Sequence, residues 1–153
     1  MMTHARMREE ILSFYDGYTR SFQAAYERFI ASPEAGPDAS DALPYYHAPC
    51  LFITPLGVAL YPTSEALARH FAGVMLDMQS KRYQRTGLGH PHLTPLGAHS
   101  ALLSLEIARF DLDERQYDEY GVTYTLARSD QGWQIAVVNT HPKQDVIRTP
   151  DAR

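Results

Sequence analysis

Apolar residues recur at three- and four-residue spacing from Ile11 onward: Phe14, Tyr15, Tyr18, Phe22, Ala25, Tyr26 and Phe29 make one stripe, with Arg8, Glu9, Asp16, Arg20, Glu27 and Arg28 mainly on the other faces. The spacing predicts a long helix that ends before Ser32-Pro33, followed by a loop over 31–40 with the Pro, Gly, Asp and Ser content of a connection. Residues 41–46 read either as one short helical turn or as the start of a strand. From His47 the period shortens to two. Residues 47–54 read as a strand, 55–57 as a turn and 58–61 as its hairpin partner. Thr63, Ser64 and Glu65 then place hydroxyls and an acid where a helix begins. Leu67, Phe71, Val74, Met75 and Met78 supply the stripe of this second helix, and Lys81 and Arg82 suit its C-terminal dipole.

The remainder reads as strand. Residues 82–93 form a strand broken at Gly87 and Gly89; Ala101, Leu103, Leu105 and Ile107 alternate along the next, which runs to about Phe110. Tyr120, Val122, Tyr124 and Leu126 alternate on a third, and Trp133 to His141 make the last, after a turn at 129–132. Residues 144–153 read as a loosely held tail. Helix, hairpin, helix and then four long antiparallel strands is an α+β order. A curved sheet folded over the two helices would enclose a cone-shaped space, the default place for a ligand.

Composition narrows this picture. A chain of 153 residues is the size of one domain, with a core over about 8–142 and a tail over 143–153. Fourteen Lys and Arg against 18 Asp and Glu leave a net charge of −4, which argues against a dedicated binder of nucleic acid or of an anionic membrane. One cysteine, Cys50, allows no intrachain disulfide framework. Residues 1–10 carry charges but no apolar signal core, and no apolar run approaches a membrane span, so the expected location is cytoplasmic. Ten tyrosines change the picture most. Each buries an apolar ring whose hydroxyl still needs a partner, which points to a partly polar-lined cavity, although tyrosine also simply favours strands.

Two stretches sharpen the fold: Leu51-Phe-Ile-Thr-Pro-Leu-Gly57 ahead of the second helix, and Gly121-Val-Thr-Tyr-Thr-Leu126 followed by Asp130-Gln-Gly-Trp-Gln-Ile135. With the element order, they make residues 8–142 resemble the nuclear transport factor 2-like superfamily, nearest its SnoaL-like and ketosteroid-isomerase-like branch. The resemblance implies a cystatin-like cone, with N-terminal helices packed on a strongly curved antiparallel sheet, often paired as a homodimer through the outer sheet face. It implies no single function, because this fold hosts isomerases, cyclases, dehydratases, transport adaptors and binding proteins.

Enzymes similar to ketosteroid isomerase carry a general-base aspartate just before Pro-x-Gly. Here that position is Thr54, whose hydroxyl is too weak a base to take a carbon-bound proton. The resemblance places oxyanion donors on the first helix, where Tyr18 is better centred than Tyr15, and on the penultimate strand near Tyr124. Other branches carry a cavity-facing histidine, for which His70 and His141 are the candidates. His141 shares strand parity with Trp133, Ile135, Val137 and Asn139. Tyr18, His70, Tyr124 and His141 are thus the catalytic candidates of an enzyme acting on an apolar or aromatic carbonyl compound.

That enzyme is the alternative to the favoured reading, a domain that binds a small apolar or aromatic ligand in an enclosed, tyrosine-rich cavity with no established chemistry. Parity and stripe position predict a cavity lined by Tyr18, Phe22, Cys50, Phe52, Thr54, Phe71, Met75, Leu103, Leu105, Tyr124 and Asn139. No cofactor and no metal are expected. His90 and His92 share a strand face but have no third ligand at metal-binding spacing. Cys50 reads as packing, since a thiol among aromatics is a poor nucleophile. Glu106 falls on the parity opposite to Leu103, Leu105 and Ile107, on the outer face predicted to form the homodimer.

Overall fold

A computed structural model describes residues 2–150; Met1 and the end of the predicted tail, 151–153, lie outside the described residues. The first helix, α1 (His4–Ala31), is capped by the Thr3 hydroxyl, which accepts from the Arg6 amide at 3.2 Å. Met7, Ile11, Tyr15, Ala25, Tyr26 and Phe29 form its buried stripe. A 3-10 turn over Ser40–Tyr45 takes the place left open between turn and strand. The hairpin follows as β1 (Tyr46–Thr54) and β2 (Gly57–Tyr61), then α2 (Ser64–Ser80), capped by the Thr63 hydroxyl on the Ala66 amide at 3.1 Å. Leu67, Phe71, Met75 and Met78 are its buried residues.

Five strands complete the fold: β3 (Tyr83–Leu88), β4 (His92–Pro95), β5 (Ser100–Asp111), β6 (Gln116–Ser129) and β7 (Gly132–His141). The sheet runs β2-β1-β7-β6-β5-β3, with β4 also on β5. The predicted broken strand over 82–93 is two strands on one edge of β5, β3 beside its second half and β4 beside its first. Gly89 marks the break: its amide donates to the Glu106 carbonyl at 2.8 Å, and a Cβ there would lie 3.1–3.3 Å from Glu106 atoms. Gly132 holds φ at +91° in the last hairpin, a conformation that costs glycine little.

Two features of the sheet depart from the sequence reading. First, it is mixed rather than antiparallel throughout: β1 runs parallel to β7, with Leu51 opposite Val137. Alternation cannot reveal this, because it reports which face a residue takes and not which neighbour its strand finds. Second, the β6–β7 register slips, from Leu126 opposite Ile135 to Thr125 opposite Val137. The extra residue, Ala136, reverses the parity beyond it. Trp133 and Ile135 point into the core, but from there on it is Val138 and Thr140 that face inward, while Asn139 pairs with the outward-facing Thr123.

The core lies between the helices and the concave face, with Leu103, Leu105, Leu126 and Ile135 at its floor. The tail is held along the outer face. Val146 is buried, the Ile147 amide donates to the Ser104 hydroxyl at 2.9 Å, and the Thr149 amide donates to His92 Nδ1 at 3.1 Å. Glu106 faces outward as predicted and pairs with Arg148 of this tail at 3.4 Å. Among the described residues no helix is long and apolar enough to cross a membrane.

Candidate functional site

Between the helices and the concave face lies a pocket of about 620 Å³, open to solvent at one margin. Its position follows from the elements: α1 contributes Tyr15, Tyr18 and Phe22, β1 contributes Tyr46, Phe52 and Thr54, and α2 contributes His70, Phe71 and Val74. The floor comes from Ile107 and Arg109 on β5, Tyr120, Val122 and Tyr124 on β6, and Val138 and Thr140 on β7. Arg20 and Glu27, both exposed, stand with Arg85 at one margin. A second cavity of about 680 Å³ adjoins it under the β1–β2 turn, bordered by Pro55, Arg69, Asp77 and Asp118. His70, Val74, Arg109, Tyr120 and Thr140 belong to both.

Phenol groups dominate the polar lining, and they are tied to one another. The Tyr15 and Tyr124 hydroxyls lie 3.1 Å apart, and the Tyr18 hydroxyl pairs with that of Tyr46. Farther out, Tyr83 donates to Gln23 Oε1 at 2.5 Å and meets the Thr86 hydroxyl at 2.7 Å. Burial pushes the Tyr18 phenol up to about 12 and raises Tyr15, Tyr46 and Tyr124 as well. All four stay neutral near pH 7, so they act as hydrogen-bonding groups and not as bases.

His70 is differently placed. Its Nδ1 lies 3.0 Å from the Tyr61 hydroxyl, and its ring packs against Phe52, Tyr61 and Phe71. Burial lowers its pKa below the usual 6.5, which leaves a neutral imidazole above that pH. The Thr54 hydroxyl is engaged in its own turn: it accepts from the Leu56 amide at 3.1 Å.

Of the predicted lining, Tyr18, Phe22, Phe52, Thr54, Phe71 and Tyr124 border the cavity together with His70. Cys50, Met75, Leu103 and Leu105 are instead packed in the solid core, each almost wholly covered. Strand parity and helical stripe give the face but not the depth. Cys50 Sγ is 3.7 Å from the Ile135 carbonyl, and burial pushes its thiol up to about 12. Asn139 and His141 are corrections of face, because the slip at Ala136 turns both outward. The His141 ring sits on the outer side, with Nε2 2.8 Å from the Thr123 hydroxyl and Nδ1 2.8 Å from the Pro142 carbonyl. His141 nonetheless borders the second cavity.

Arg109 is absent from the candidates that the sequence suggests. It stands on the inward parity of Leu103, Leu105 and Ile107, where β5 leaves the core. Its Nη2 donates to the Tyr120 hydroxyl at 3.2 Å, its Nε is buried without an acceptor, and its guanidinium carbon is 5.9 Å from the Tyr120 ring centre. An arginine at the end of an apolar alternation is the signal that could have found it.

With the geometry in view, comparison with known proteins places the chain. A family described as NTF2-like protein (DUF6841) matches residues 8–143. The chain belongs to this family. Structural relatives of the DUF6841 protein share its fold at low identity. A protein of unknown function with a cystatin-like fold from Nostoc punctiforme has a TM-score of 0.64 at 13% identity, over 97% of this chain and 96% of its own. Aln2 from a Streptomyces species has a TM-score of 0.69 at 11% identity, over 94% and 96%. A nuclear transport factor 2-like superfamily protein from Salmonella enterica serovar Typhimurium has a TM-score of 0.58 at 17% identity, over 99% of both chains. A search of curated proteins finds no match.

Proposed function

We propose that this DUF6841 protein binds a small apolar or aromatic molecule in the cavity between its helices and the concave sheet face. The observation that carries this is the lining. Aromatic faces from Tyr18, Phe22, Phe52 and Phe71 surround a volume of about 620 Å³, within the range of small-molecule sites. Their hydroxyl partners set orientation without ionising. The proposal extends to a homodimer acting in the cytoplasm, joined through the part of the outer sheet face that the tail leaves uncovered. Leu102, Ala108 and Phe110 are half-buried there, a composition poorer in charge than a solvated sheet face.

A second reading, a SnoaL-like enzyme acting on a carbonyl compound, is favoured by one observation: His70 faces both cavities with a lowered pKa. It lacks the carboxylate base of the isomerase-like enzymes, since Thr54 stands there.

The test is binding of a neutral flat probe, 2-naphthamide, by titration calorimetry. Saturable binding is expected in the unmodified protein, with at least a tenfold loss in Phe22→Trp, which fills the cavity from α1. Absence of saturable binding, or binding indifferent to Phe22→Trp, overturns the cavity as the site.

A further inference from the structure

Arg109 is an unusual residue to find at a cavity wall. A guanidinium keeps its charge at every accessible pH, and taking an unpaired one out of water costs several kcal/mol. The other arginines in ion pairs hold exposed carboxylates: Arg6, Arg20, Arg28, Arg82, Arg85 and Arg148. Among the described residues no carboxylate reaches Arg109 within ion-pair distance; the groups beside it are neutral phenols, Tyr120 at hydrogen-bond distance and Tyr117 next to it. Asp118 stands opposite it in the β5–β6 register, yet is exposed and makes no ion pair with it. Arg109 Nε and the Tyr117 hydroxyl are both covered without a partner at full hydrogen-bond geometry, and the two side chains lie against each other in this corner of the molecule.

From these observations we infer that the ligand is a carboxylate: a monoanion whose flat or aliphatic body lies among Tyr18, Phe22, Phe52 and Phe71 and whose carboxyl group meets Arg109. The inference rests on the cavity being the ligand site. The geometry suits this class. Nη2 is held by the Tyr120 hydroxyl and Nε is covered beside Tyr117, so a carboxylate would meet the guanidinium at its Nη end, where two N–H donors lie side by side. Of the arginines that border the cavity, Arg20 and Arg85 are paired with Asp16 and Glu114, which leaves the single charge of Arg109 to be balanced and favours a carboxylate over a doubly charged phosphate. Asp118, the cross-strand neighbour of Arg109, and Asp77 border the second cavity and would repel a ligand presenting more negative charge. The apolar wall also lowers the local dielectric, which strengthens the pair once it forms.

Acid and amide probes of the same shape separate this inference from the cavity reading. Benzoate, 2-naphthoate and octanoate are titrated calorimetrically into the full-length protein, each beside its primary amide. At least one acid is expected to bind tenfold or more tighter than its amide, a preference that disappears in Arg109→Gln and shrinks in Arg109→Lys, which keeps the charge and loses the paired donors. Amide binding should change less than acid binding in both variants. If acids and amides bind alike, the carboxylate inference is overturned while the cavity stands. If the acid preference survives in Arg109→Gln, Arg109 is not the anion's partner and the inference is overturned. If neither acids nor amides bind, the cavity reading fails and this inference falls with it. The unliganded thermal midpoint gives a readout that does not need ligand. Arg109→Met, which removes a half-buried charge that has no carboxylate beside it, should melt no lower than the unmodified protein, whereas a structural role for Arg109 would make it melt several degrees lower and count against the inference. The acid-over-amide comparison in the unmodified protein holds even where a variant fails to fold.

Discussion

His70 couples the cavity to pH. Its folded-state pKa lies below 6.5 because burial among Phe52, Tyr61 and Phe71 disfavours the imidazolium. In the window below 6.5 the unfolded chain takes up a proton that the folded chain refuses. Stability is therefore full above about pH 6.5 and is lost as the pH falls toward and through the folded value. Urea midpoints at about pH 5 and about pH 8 should differ less in His70→Gln than in the unmodified protein; an equal difference would assign the acid sensitivity elsewhere. Thr54 yields a prediction of the opposite kind, an activity that is missing. Its hydroxyl serves the turn at Leu56 and cannot act as a base near neutral pH, so the protein should not isomerise 3-oxo-steroids. Conjugated-enone absorbance growing at the rate of an isomerase of this fold would show that another residue supplies the base.

Both long helices start at a hydroxyl cap, of which the one at Thr63 is legible along the chain, as are the strand faces. Thr63 accepts from the Ala66 amide. Thr63→Ala should cost about 1 kcal/mol in urea unfolding, while a neutral result would mean that packing alone sets the start of α2. The alternation of β5 puts Leu103, Leu105 and Ile107 inward and Glu106 outward, as observed. What alternation misses is the extra residue. Ala136 looks like any strand residue, because a bulge is decided by the neighbour's hydrogen bonds and not by the bulged residue's own chemistry. Unbroken parity therefore assigns Asn139 and His141 to the cavity and leaves Thr140 out. The same blindness to depth sends Cys50, Met75, Leu103 and Leu105 to the cavity wall when they are its foundation. Arg109 escapes for a different reason: an arginine is expected outside, and only the three-dimensional neighbourhood shows that this one is not. The bulge is open to a paired test. Thr140→Phe should abolish 2-naphthamide binding and Asn139→Phe should leave it within about twofold; the reverse pattern would restore the unbroken parity.

For the molecule as a whole, the outer sheet face carries both the tail and the proposed twofold. Removing residues 143–153 deletes the Val146 contact and the bonds to Ser104, Glu106 and His92, a loss of about 2 kcal/mol in unfolding free energy. Light scattering should give a mass near twice 17.3 kDa at micromolar concentration; a mass that stays at 17.3 kDa removes the dimer. The sheet order also dictates how the chain can be assembled. Because β1 lies beside β7, with Leu51 opposite Val137, the strand that opens the sheet waits for the strand that closes it. On the ribosome, α1, the hairpin and α2 emerge with their aromatic undersides bare and no floor to cover them. The β5–β6–β7 meander needs only its own short turns and can form quickly once made, but the contacts that join it to the first half span most of the chain and close slowly. The N-terminal half by itself is thus a sticky fragment, and in the interval before β7 arrives the nascent protein is a natural client for chaperones.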